Sequence, residues 1–181
     1  LIARKDPKSD EAERRYAALV ARRPDDAKLR LIHAELLGAD PRKRARAIEA
    51  YREALDRNPR YDVRETYADL LSSDPGRRAE AVMQYGVLLR EKPADAGVRL
   101  KLARLLAAKR QDTRAAIGEY DAVLARDPEN VEAHEGLAQA WAWLGDRDQA
   151  LHHSNLALRY GAAAQKSARL RGDLLEGRER S

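Results

Sequence analysis

Few residues in this 181-residue chain could do acid–base, metal or nucleophilic chemistry, and their spacing does not suit it. Four histidines stand at 33, 134, 152 and 153 with no HExxH pattern. His152 and His153 are neighbours, so on a helix their side chains diverge and a shared metal is not expected. The chain has no cysteine, which excludes disulfides, thiolate zinc sites and thiol nucleophiles. Its ten glycines form neither GxGxxG nor a GxxxxGK phosphate loop. Ser72, Ser73 and Ser154 lack the strand-to-helix elbow of a serine nucleophile. Glu132 and Glu135 share a helical face, but in a chain with 36% charged residues such a pair faces solvent. The expectation is no catalytic residue, no metal, no cofactor and no enzyme.

What remains is charge at a surface, and the elements that would position it are helices. The chain holds 34 Ala and 27 Arg but no Phe, one Met and four Ile, too little β-branched and aromatic side chain for a sheet. No run of 18 apolar residues occurs, so a soluble chain is expected, in cytoplasm or periplasm. Internal repetition is strong. Pro24, Pro59, Pro93 and Pro128 are spaced by 35, 34 and 35, and eight residues before each stands Tyr16, Tyr51, Tyr85 or Tyr120. Twelve before each Pro is an alanine: Ala12, Ala47, Ala81 and Ala116. A fifth copy follows at Ala150, with Ser154 in the Tyr place and Ala162 in the Pro place. A second ladder, Ala34, Ala68, Ala103 and Ala138, gives each period two helices. The alanines permit close helix approach, the tyrosines fill the space between repeats, and each Pro ends a helix. Asp6-Pro7, Asp40-Pro41 and Asp74-Pro75, 34 apart, supply a cap and a first helical residue to the second helix of a hairpin.

These ladders resemble the tetratricopeptide repeat, whose 34-residue unit carries small residues, an aromatic and a Pro at matching places. The best copy is Ala133 to Asp146, where Leu137, Ala138, Trp141 and Gly145 meet the family pattern. His134 departs from it, standing where the family often has Trp. The resemblance implies an all-α, TPR-type helix-turn-helix solenoid wound as a right-handed superhelix, and one domain over 1–181. Its parts are a partial repeat at 1–26, full repeats at 27–60, 61–95, 96–130 and 131–164, and a capping helix or degenerate fifth repeat at 165–178. Residues 1–5 read as the stump of a further helix, and the chain as a segment of a longer array.

The resemblance also implies a function: a non-catalytic scaffold for protein–protein interaction, with first helices lining a concave groove for a protein or peptide segment. Carried onto this sequence, the groove positions are Lys28, Leu31 and Glu35; Asp62, Glu65 and Asp69; Leu100 and Arg104; and Glu132, Glu135 and Gln139, with Trp143 beside them. Six carboxylates face two cations there, so a basic or amphipathic ligand is expected. The asparagines of the family's carboxylate clamp are missing. A likeness in style to repeat arrays preceding outer-membrane export barrels implies a bacterial assembly or export protein. The alternative reading starts from the net charge of +5. Arg42, Lys43, Arg44 and Arg46, then Arg77 and Arg78, then Lys109, Arg110 and Arg114 fall at the turns within hairpins, as a basic ridge. Helix N-termini disfavour positive charge by about 0.3–1 kcal/mol each. The ridge would then serve nucleic acid or an anionic membrane. Self-association through the chain ends is a further partner reading.

Overall fold

The expected punctuation governs the fold. In a computed structural model that describes residues 7–178, with side chains over 10–60 and 62–162, the described residues form α-helices and short 3-10 turns and no strand. The α-helices are α1 Pro7–Arg22, α2 Ala27–Gly38, α3 Arg44–Arg57, α4 Tyr61–Ser72, α5 Arg78–Glu91, α6 Ala96–Ala107, α7 Thr113–Leu124, α8 Val131–Leu144 and α9 Arg147–Arg178. Helices α1, α3, α5 and α7 each stop short of their Pro, which cannot supply the donor a continuing helix needs. Asp26, Asp95 and Asn130 then cap α2, α6 and α8, each accepting from a backbone N–H at 3.0–3.1 Å. Within two of the hairpins, Asp40 and Asp74 accept from the amides of Arg42 and Gly76 and open a single 3-10 turn starting at Pro41 or Pro75. The stump expected at 1–5 lies outside the described residues.

The chain divides into two compact units, one ending at Pro93 and one starting at Ala94. In the first, α1 packs on α2, α2 on α3, α3 on α4 and α4 on α5. In the second, α8 covers the α6–α7 hairpin and α9 packs on α8. Both small-residue ladders enter the core: Ala34, Ala47, Ala68, Ala81, Ala103 and Ala116 are fully buried. Tyr51, Tyr85 and Tyr120 are buried too, while Tyr16, expected to be buried with them, is half-buried on α1. These are helix-turn-helix repeats of tetratricopeptide type.

Two departures matter for the site. Ala138 is half-buried where its three counterparts are sealed. The closing helix expected over 165–178 is not separate, because α9 runs on unbroken from Arg147 to Arg178. Where the other repeats have Pro the chain has Ala162, a strong helix former, so nothing local ends the helix there.

Candidate functional site

The second unit builds its site from α8 and α9. Asn130 starts α8, and Gly145 ends it at φ +86, the left-handed conformation that glycine adopts without steric cost. Asp146 then accepts from the amide of Gln149 at 3.0 Å and starts α9 antiparallel to α8 after a single turn. One side of this hairpin lies toward α7. There Ala133, Leu137 and Ala140 join Ala103, Ala116, Ile117, Tyr120 and Val123 in one core. Tyr120 packs onto the bare backbone of Gly136 so closely that a Cβ there would come 2.2 Å from the ring.

The helices also hold a histidine pair, His134 buried and His153 half-buried. His134, only 4% exposed, faces the Pro128 carbonyl through Nε2 at 3.0 Å and His153 through Nδ1 at 2.9 Å. A carbonyl only accepts, so Nε2 of His134 carries a proton, and in the neutral ring its Nδ1 accepts from Nδ1–H of His153. Tyr160 stacks on His134 at 5.6 Å. Burial pushes the His153 pKa down, and the neighbouring His134 and His152 add to this, against a smaller upward pull from Asp121 on α7. A base whose folded pKa is depressed stabilises the fold above its unfolded value, near 6.5, and the contribution is lost as pH falls through the folded value. Thermal unfolding of the native chain should therefore lose more stability between pH 7.5 and 5 than that of His153→Gln. Equal losses would show that His153 is not the titrating group.

Among the described residues the other side of the α8–α9 hairpin is open. It carries a cleft of about 850 Å³ whose floor is small, with Ala138, Ala142, Ala150, Ala157 and Gly161. Its walls are Val131, Leu151 and Leu158, the two leucines 53% and 69% exposed. Glu135, Gln139 and Arg147 supply polar edges, and Ser154 stands in the lining where the earlier copies carry the space-filling Tyr.

Glu135 and Gln139 thus fall on the cleft, and Trp143 is exposed at 39% near the end of the same helix. Glu132 is drawn to Arg104, 3.1 Å away. Leu100, expected to offer apolar contact to a ligand, does not: it is 8% exposed and belongs to the α6–α8 core. In the first unit, Lys28 and Glu35 are exposed on α2 and Leu31 is half-buried. Asp62 is paired with Arg60 at 2.6 Å, Glu65 is half-buried, and Asp69 accepts from the Tyr85 hydroxyl at 2.7 Å. Sequence reasoning missed Leu151, Leu158 and Ser154 as site residues.

The ridge cations of the first unit are largely occupied. Lys43 bonds Asp10 at 2.5 Å and the buried Glu13 at 3.1 Å, and Arg46 reaches Glu13 at 2.7 Å. Burial pushes the Glu13 carboxyl up, and these two cations more than offset it, so its pKa lies below the usual carboxylate value. Arg42 folds back on Asp40 at 2.7 Å and holds it at about 2, chiefly by that hydrogen bond. Arg77 sits among Glu49, Glu80 and Asp74 at 3.0–3.8 Å. Arg44 donates to the Ser73 carbonyl at 3.5 Å, and Arg78 is half-buried. In the second unit Lys109, Arg110 and Arg114 are exposed. Among the described residues no helix is long and apolar enough to cross a membrane, and no three His, Asp or Glu gather as metal ligands.

Among solved structures the fold is shared with MamA, at TM-score 0.76 and 17% identity over 88% of this chain and 86% of that one. A MamA from Desulfovibrio magneticus RS-1, residues 41 to the end, gives 0.72 and 17% over 87% and 88%. YrrB, described as a TPR protein with an unusual peptide-binding site, gives 0.72 and 16% over 84% and 78%. No family model and no curated protein sequence matches the chain.

Proposed function

We propose that this chain, a tetratricopeptide-type fold, is a non-catalytic protein-interaction module that holds a segment of a partner protein, with the α8–α9 cleft as its working surface. The observation that carries this reading is the cleft itself. Its two exposed leucines flank a small-residue floor with Glu135, Gln139 and Arg147 at the edges, the usual composition of a site that takes apolar side chains and orients them by a few polar groups. The peptide-binding site named for YrrB, a protein of the same fold, supports a peptide as the ligand class. A place in a larger bacterial assembly or export protein fits a module of this kind.

Nucleic acid or an anionic membrane is the weaker reading, because Arg42, Lys43, Arg46 and Arg77 already satisfy carboxylates of the chain. Pull-down from source cells with three variants tests the choice. Glu135→Lys and Leu158→Asp should each abolish partner capture while moving stability by within about 0.5 kcal/mol, since both residues are exposed. The triple change of Lys109, Arg110 and Arg114 to Glu should leave capture intact. Loss of capture in that triple variant, with a steep fall of affinity with salt, would move the working surface to the basic turns.

A further inference from the structure

The cleft also carries information about the shape of what fills it. Within the second unit, the α6–α7 hairpin presents the same kind of face, and there α8 covers it, with Leu137 and Ala140 in the core and Tyr120 laid on Gly136. The face is thus an established helix-packing interface in one hairpin and an open cleft in the next. The two differ at one decisive place. Tyr120 on α7 fills the gap and demands a bare Gly from the covering helix, whereas Ser154 on α9, four residues after Ala150 as Tyr120 is after Ala116, leaves that gap empty.

The geometry points to a partner helix as the occupant: an amphipathic helix of another protein that packs on α8–α9 as α8 packs on α6–α7. It carries a large apolar side chain, aromatic or Leu, where α8 has Gly136. That side chain enters the hollow at Ser154, so the ladder's filling residue is supplied by the ligand instead of by the repeat. Leu151 and Leu158 flank the stripe, and the rest of the helix follows the i, i+4, i+7 spacing of Ala133, Leu137 and Ala140. Gly136 and Ser154 therefore invert each other's size, and an exchange of sizes between protein and ligand reads out the contact.

This inference rests on the reading of the cleft as a partner site, and its test is separate. The probes are two fluorescent, helix-stabilised synthetic peptides of residues 130–145, one native and one with Gly136→Phe. They are titrated by anisotropy against the full chain and its Ser154→Tyr variant, which restores the residue found at this place in four other copies. The native chain should bind the Phe peptide about 10-fold or more tighter than the Gly peptide, and Ser154→Tyr should reverse that order. Leu158→Asp should weaken both. A preference that ignores residue 154 would overturn the inference. So would binding of neither peptide while Glu135→Lys still abolishes partner capture, in which case the cleft serves a partner but not a helix. Light scattering that shows a self-associated native chain, dissociated by Leu158→Asp, would assign the cleft to a second copy and also overturn it. Loss of both peptide binding and the Glu135 effect would defeat the cleft reading itself.

Discussion

Tyr85→Ala is expected to lower stability by about 3–5 kcal/mol, the range for removing a buried aromatic and leaving a cavity. Tyr85 is 2% exposed on α5, and its hydroxyl donates to Asp69 on α4 at 2.7 Å. Two costs therefore add: the ring leaves a hole in the first unit, and a half-buried carboxylate loses one hydrogen bond. Tyr85→Phe separates them. It keeps the ring and should cost about 1.5–3 kcal/mol for the lost hydrogen bond to a charged acceptor. Chemical denaturation of the three proteins gives both numbers. A Tyr85→Ala cost under about 1 kcal/mol would mean that the tyrosine ladder does not fill space and that the repeat register is misassigned.

Gly136→Ala should be destabilising, against the sign that helix propensity alone gives. In an exposed helix interior the change is favourable by up to about 1 kcal/mol. Here the added Cβ would lie 2.2 Å from the Tyr120 ring, with two more ring atoms at 2.5 and 2.6 Å, so the ring or the helix must shift. Overpacking of this kind typically costs about 1–3 kcal/mol, which outweighs the propensity gain. In a Tyr120→Ala background the clash is gone and Gly136→Ala should become neutral or stabilising. A thermal-shift double-mutant cycle checks this. Additive effects, with no change of sign between backgrounds, would show that Tyr120 does not press on Gly136.

Much of this contact was legible in the residues. The Pro, Tyr and Ala ladders fixed where helices end and which faces meet, because a proline's missing donor and an alanine's small side chain act locally and recur at the same place in every period. Ser154 was visible as the odd copy, but its consequence was not. A small residue in a filling position leaves a hollow only where no other helix covers it, and among the described residues α9 continues past Ala162 instead of turning back over it. Leu100 shows the converse failure. Position within a repeat assigned it to the ligand face, yet the approach of α8 buried it, and nothing in its neighbours' sequence reports that depth. In the basic turns of the first unit, the pairing of the cations was hidden for a third reason. Glu13 and Asp10 stand about 30 residues before Lys43 and Arg46, so only the packed α1 showed that those cations were already paired.

His134 illustrates how an exception can be satisfied internally. It occupies a place where a large aromatic is common in similar repeats, and it is buried with both ring nitrogens bonded, one to the Pro128 carbonyl and one to His153. The pair joins α8 to α9 in the second unit, so the proposed partner surface and the His153 imidazole share the same two helices.

The open face of α8–α9 is proposed to take a partner segment. Amide and methyl chemical-shift mapping on the full chain, titrated with the segment recovered from the pull-down, tests it most directly. The largest shifts are expected on Glu135, Gln139, Leu151, Ser154 and Leu158, with Lys109, Arg110 and Arg114 unmoved. Shifts concentrated on those three cations, with the cleft silent, would contradict it.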